Sequence, residues 1–154
     1  MNGLVPSVIR DWEPLPYDWR FSPEEILTNG VTTSSGTHFL DEKIRDMAED
    51  SDTGKVTIVA HSYGGLVGKA LIKKLADEGD ADLIDSFVMV GTPQLGTPLT
   101  IPSLLHGPKG NFFYRFFIDQ ADERYAAHYM KSAHYLLPSE EYLTRVSDPT
   151  ILFD

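Results

Sequence analysis

Ser62 is the residue whose neighbours fit nucleophilic chemistry. Before it stands Val56-Thr57-Ile58-Val59, a β-branched run suited to a buried parallel strand, and after it Val67, Leu71 and Leu75 recur every fourth residue on one helix face. The hydrophobic period changes at the serine. Ala60, Gly64 and Gly65 surround it, and a tight strand-to-helix turn needs such small flanks because neighbouring segments pass close by. A turn of this kind lifts the hydroxyl clear of the sheet and points helix N-terminal N–H groups at the reacting centre. The implied chemistry is attack on an ester carbonyl and acyl transfer through the serine, with the backbone N–H of Tyr63 as an oxyanion donor.

The pattern x-Ser-x-Gly is common in ordinary loops between a strand and a helix. The strand before it and the amphipathic helix after it are what make this stretch read as the nucleophile elbow of an α/β-hydrolase. Ala60 departs from the usual pattern, which has glycine there, by a single methyl group. Each of the five histidines could be asked to serve as the base. His61 adjoins Ser62 within the turn, so its ring points away from the hydroxyl and suits packing or hydrogen bonding. His38 precedes a helix, where capping or solvent exposure is the ordinary role. His106 is retained as an alternative base, while His128 and His134 fall in a later, cap-like region. No His/Asp/Glu set has metal-ligand spacing, so neither a metal nor another cofactor is expected.

A chain of 154 residues with 42% apolar content is sufficient for one domain and one core. The net charge of −10 is concentrated in residues 41–54, with six acids against two bases, and 77–85, with five acids and no base. Read as solvated patches, these repel phosphate backbones and anionic headgroups, so nucleic acid is not an expected partner. Contact with a lipid surface would have to be transient. Cysteine is absent, which excludes disulfides and thiolate metal sites. Neither an apolar run of membrane-spanning length nor a basic and apolar leader is present, and composition leaves compartment and oligomeric state open.

The elements that must position Ser62 follow in order. Leu4 to Ile9 suggests a short strand broken by Pro6, and Pro14 and Pro16 lead into Tyr17-Asp18-Trp19-Arg20, where an aspartate paired to arginine reads as a turn anchor. Ser22-Pro23-Glu24-Glu25 has the signature of a helix start: N-cap, proline at the first position and acids in the first turn. Residues 28–37 read as a polar loop, and Phe39, Leu40, Ile44, Met47 and Ala48 mark one face of a second helix. Beyond the elbow helix, Ser86 to Val90 forms a second buried-looking strand that ends at Gly91-Thr92-Pro93. Residues 94–110 carry no period and read as a surface excursion. Phe112, Phe113, Tyr114, Phe116 and Phe117 then crowd together before a polar, helical stretch through Met130. No closing element is recognisable in 131–154.

Four stretches, in matching order, resemble the lecithin:cholesterol acyltransferase family of α/β-hydrolases: LPYDWR at 15–20, VAHSYGGLV at 59–67, FVMVGTPQLGTP at 87–98 and SAHYLLPSEEYL at 132–143. The resemblance implies a partial α/β-hydrolase fold, α/β in class, with parallel strands, flanking helices and part of a cap or lid. One partial domain spans 1–154, with residues 1–98 as core and 99–145 as the cap-like insertion. It further implies serine-dependent acyl transfer on lipid esters through an acyl-enzyme at Ser62, by an O-acyltransferase or by a lipase or phospholipase. Phe112, Phe113 and Phe116 are then expected to face the substrate, although a core role is the plain alternative. In this fold the acid and histidine follow the serine at long range, so both are expected beyond Asp154, and the second oxyanion donor before Met1. These 154 residues are accordingly expected to be an internal piece that is inactive alone. The competing class is a non-catalytic, lipid-binding module that keeps the elbow without the triad.

Overall fold

The computed structural model describes residues 11–34, 36–106 and 129–145. Helix α1, Pro23–Asn29, starts as the sequence dictates: Ser22 Oγ accepts from the Glu25 N–H at 3.2 Å, and the Ser22 N–H donates to Glu25 Oε2 at 3.1 Å. The supposed polar loop after it is an antiparallel hairpin of β1, Val31–Thr33, and β2, Gly36–His38. Its β-branched residues favour strand, and the Thr32 and Thr37 hydroxyls meet across it at 3.1 Å. His38 therefore lies in a strand and caps no helix. Phe39 holds the N-cap of α2, Leu40–Asp50, whose buried face carries Leu40, Ile44 and Ala48.

Strand β3, Val56–His61, pairs in parallel with β4, Ile84–Val90, and helix α3, Gly64–Glu78, connects them. Val67, Leu71 and Leu75 are buried together with Ile44 and Val56 in one core, on the sheet face that also carries Ile58. Gly68 lets α3 lie close on β4, since a Cβ there would sit 2.6 Å from the Phe87 ring. Both strands are expected to be buried, yet among the described residues only one face of the sheet is covered. Val59, Val88 and Val90 are 69%, 47% and 50% exposed. They alternate with Ile58, Phe87 and Met89, which turn to the helix side, so the run Val-Thr-Ile-Val is half core and half surface.

Residues 94–110 are not wholly irregular, because Thr100–His106 forms α4. Among the described residues two further short helices follow, α5 at Lys131–Tyr135 and α6 at Glu140–Arg145, where no closing element is recognisable in the sequence. Three bonds tie this region to the turn after β4: Thr97 N–H to Leu136 O at 2.8 Å, Ser139 N–H to Leu95 O at 2.8 Å, and Thr100 Oγ1 to Leu136 O at 3.1 Å. Lys131 pairs with Glu25, and Tyr135 Oη donates to Glu24 Oε2 at 2.6 Å, which fastens α5 to α1.

The acidic patches are also more than solvated surface. Asp41 is only 5% exposed; its Oδ2 accepts from Lys74 Nζ and from Arg45 Nη1 at 2.9 Å, while Arg45 Nε reaches Asp80 at 2.7 Å. Burial by itself opposes ionisation of Asp41, but the hydrogen bonds from Lys74 and Arg45 outweigh it and hold the carboxyl below its usual range. A carboxylate depressed by folding contributes stability above its unfolded pKa, near 3.9, and loses it as pH falls through the folded value. Acid is therefore expected to lower the urea midpoint of the wild type more than that of Asp41→Asn, over the pH range below about 4. Equal losses in the two proteins would remove Asp41 from the account.

Candidate active site

Strand β3 delivers the chain to Ser62 and α3 carries it away, with Tyr63 at the N-cap. Between them Ser62 takes φ 51°, and among the described residues it is the one non-glycine with positive φ. This conformation costs an L-residue about 1–3 kcal/mol and persists only where the surroundings hold it. The holding contacts are plain: the Ser62 N–H donates to Val90 O at 2.9 Å, and Ser62 O accepts from the Gly65 N–H at 3.0 Å. Val67 N–H then returns to Tyr63 O at 3.2 Å as the helix opens. Among the described residues no hydrogen bond is made by the Tyr63 N–H.

The Tyr63 side chain is a part of the site that sequence reasoning missed. It is buried beneath the elbow, its Oη donating to Phe21 O at 2.9 Å and its ring meeting Tyr17 at a centroid distance of 6.4 Å. Burial raises the pKa of both phenols, Tyr63 further than Tyr17, so both stay neutral. Tyr17 Oη also comes within 3.1 Å of the place a Gly64 Cβ would take. The residue between serine and glycine thus anchors the elbow to the Tyr17–Phe21 turn. A bulky aromatic among small flanks was the available signal.

Asp18 and Arg20 form the expected turn anchor at the surface: Arg20 Nε donates to Asp18 Oδ1 at 2.8 Å, and the Phe21 N–H closes the turn on Asp18 O at 3.3 Å. The hydrogen bond from Arg20 lowers the Asp18 carboxyl below its ordinary range. His61 is exposed on the sheet face that carries Val59, so of the packing or hydrogen-bonding role expected for it the structure does not support packing. His134 is exposed on α5, and His106 ends α4. Phe112, Phe113, Phe116 and His128 lie outside the described residues, as do the Leu4–Ile9 segment and all but Tyr129 and Met130 of the stretch expected to be helical through Met130. A groove of about 880 Å³ runs between α1 and α3 past Leu27, Leu66 and Lys73, and Ser62 does not line it. Among the described residues no group of His, Cys, Asp and Glu could hold a metal ion, and no helix is long and apolar enough to cross a membrane.

The sequence model of the family described as lecithin:cholesterol acyltransferase matches residues 10–150, which takes in the turn, the elbow, β4 and α4 to α6. The chain belongs to the lecithin:cholesterol acyltransferase family. A member of it, the lysosomal phospholipase A and acyltransferase of Bos taurus, is 31% identical over 101 residues. That match covers 64% of this chain and 22% of the relative, so the chain spans under a quarter of its length. No solved structure matches. Membership of the lecithin:cholesterol acyltransferase family implies an α/β-hydrolase, and the parallel pair β3–β4 with its flanking helices supplies part of that fold.

Proposed function

We propose that the full-length protein transfers acyl groups from lipid esters through a covalent intermediate on Ser62. The observation that carries this reading is the φ of 51° at Ser62, held between a parallel strand and the start of α3. Ser62 Oγ attacks the ester carbonyl carbon and gives its proton to a base; the carbon–oxygen bond to the lipid alcohol breaks, and that alcohol leaves with a proton. Water or a second alcohol then attacks the acyl-Ser62 ester and releases a fatty acid or a new ester. The Tyr63 N–H, at the N-terminal end of α3, serves the oxyanion in both steps. Residues 99–145 act as the cap, and Phe112, Phe113 and Phe116 are assigned to recognition of the acyl chain.

Family membership and the phospholipase A and acyltransferase named in the relative support a lipid substrate. The net charge of −10 favours neutral over anionic lipid surfaces. With neutral phospholipid vesicles and a long-chain alcohol, the full-length protein is expected to yield both fatty acid and acylated alcohol. Their ratio should shift to the ester as alcohol is added, with loss of both products in Ser62→Ala. Vesicle binding without either product would identify a lipid-binding module instead.

A further inference from the structure

Gly65 and Thr92 meet more closely than helix and strand packing requires. A Cβ built on Gly65 would lie 1.9 Å from Thr92 Oγ1, 2.5 Å from its Cγ2 and 2.7 Å from its Cβ, so the threonine side chain occupies the space that any other residue at position 65 would fill. Thr92 Oγ1 is fully buried there without a hydrogen-bond partner among the described residues. A buried hydroxyl left unbonded costs stability, so what the side chain contributes at this place is its shape. The same short segment grips the elbow a second time: Val90 O receives the Ser62 N–H, Gly91 turns the chain at φ 59°, and Thr92 then reaches the hollow at Gly65. Gly65 in turn donates its N–H to Ser62 O. Both backbone groups of Ser62 are therefore bonded to residues that the Thr92–Gly65 contact holds in register.

From this geometry we infer that Thr92 is a positioning residue, whose side chain, seated in the hollow of Gly65, fixes the orientation of Ser62. The inference rests on Ser62 being the nucleophile, and it assigns Thr92 no contact with substrate. Gly65→Ala forces the two segments apart and is expected to lower kcat of the full-length enzyme about 10²-fold with a much smaller change in KM, the cost of a displacement near 1 Å. Adding Thr92→Gly makes room for the new methyl group and should recover most of that loss, although Thr92→Gly alone, which empties the hollow, loses activity. Restoring the volume with Thr92→Val should return what Thr92→Gly loses. Such non-additivity is the mark of direct contact.

Amide hydrogen exchange at Ser62, which reads its bond to Val90, supplies a measure independent of chemistry. It should speed up in Gly65→Ala and slow again in the double variant. Wild-type kcat and wild-type Ser62 exchange in Gly65→Ala would overturn the inference, as would simple addition of the two losses in the double variant. If Gly65→Ala fails to fold, the comparison of Thr92→Gly with Thr92→Val decides, since equal kcat and equal exchange in those two contradict a role for volume. A protein whose Ser62 never forms an adduct refutes the nucleophile alone, and the exchange pattern still settles whether Thr92 sets its orientation.

Discussion

Replacing Ser62 by alanine is expected to lower kcat of the full-length enzyme on lipid esters by on the order of 10⁶-fold, with KM nearly unchanged. The size follows from what the substitution removes. Without the hydroxyl no acyl-enzyme forms, and the remaining catalysis comes from the oxyanion donors and from binding, worth roughly 10³–10⁴ over water in triad enzymes. Binding stays because the scaffold does: the Ser62 bonds to Val90 and Gly65 are made by backbone groups that alanine also possesses. Alanine at φ 51° loses little that serine had, so the variant should fold and bind vesicles like the wild type. A kcat within tenfold of wild type would show that another group does the chemistry.

Leu75→Ala is expected to cost about 2–5 kcal/mol of stability, since Leu75 is, with Ile44, one of the two largest fully buried side chains among the described residues. Leu75 is 0% exposed on the face of α3 that meets the core shared with Ile44 and Val56, and its loss leaves a cavity that α2, α3 and β3 close only in part. Val67→Ala, nearer the elbow and smaller, should cost less. Urea unfolding reads both. A Leu75→Ala loss under about 1 kcal/mol would mean that the helix packs on the sheet more loosely than its burial indicates.

The parts of this architecture legible in the residues were those with a sustained period or a local signature. Leu40-Ile44-Ala48 and Val67-Leu71-Leu75 repeat long enough to fix a helix face, Ser22 to Glu25 is a complete capping box, and the change of period at Ser62 locates the turn. The β1–β2 hairpin and helices α4 to α6 are as short as α1 or β3 but carry neither a complete cap nor a β-branched run as long as Val56 to Val59, so the residues alone do not separate them from loop. A β-branched run looks the same whether one sheet face is covered or both, so the exposure of Val59, Val88 and Val90 could not be read from it. Asp41 was hidden by counting charges, since a count carries no information about which carboxylate a lysine and an arginine enclose. The contact of Thr92 with Gly65 joins residues far apart in sequence, and only the glycine in the first turn of α3 hinted at it.

The central claim is that Ser62 carries the acyl group, and covalent capture tests it most directly. Treating the full-length protein with a fluorophosphonate and mapping the adduct by peptide mass should place one phosphonyl group on Ser62, with no adduct in Ser62→Ala and slower labelling in Gly65→Ala. Undiminished labelling in Ser62→Ala, or an adduct on a different residue of a protein that turns over lipid esters, would contradict it.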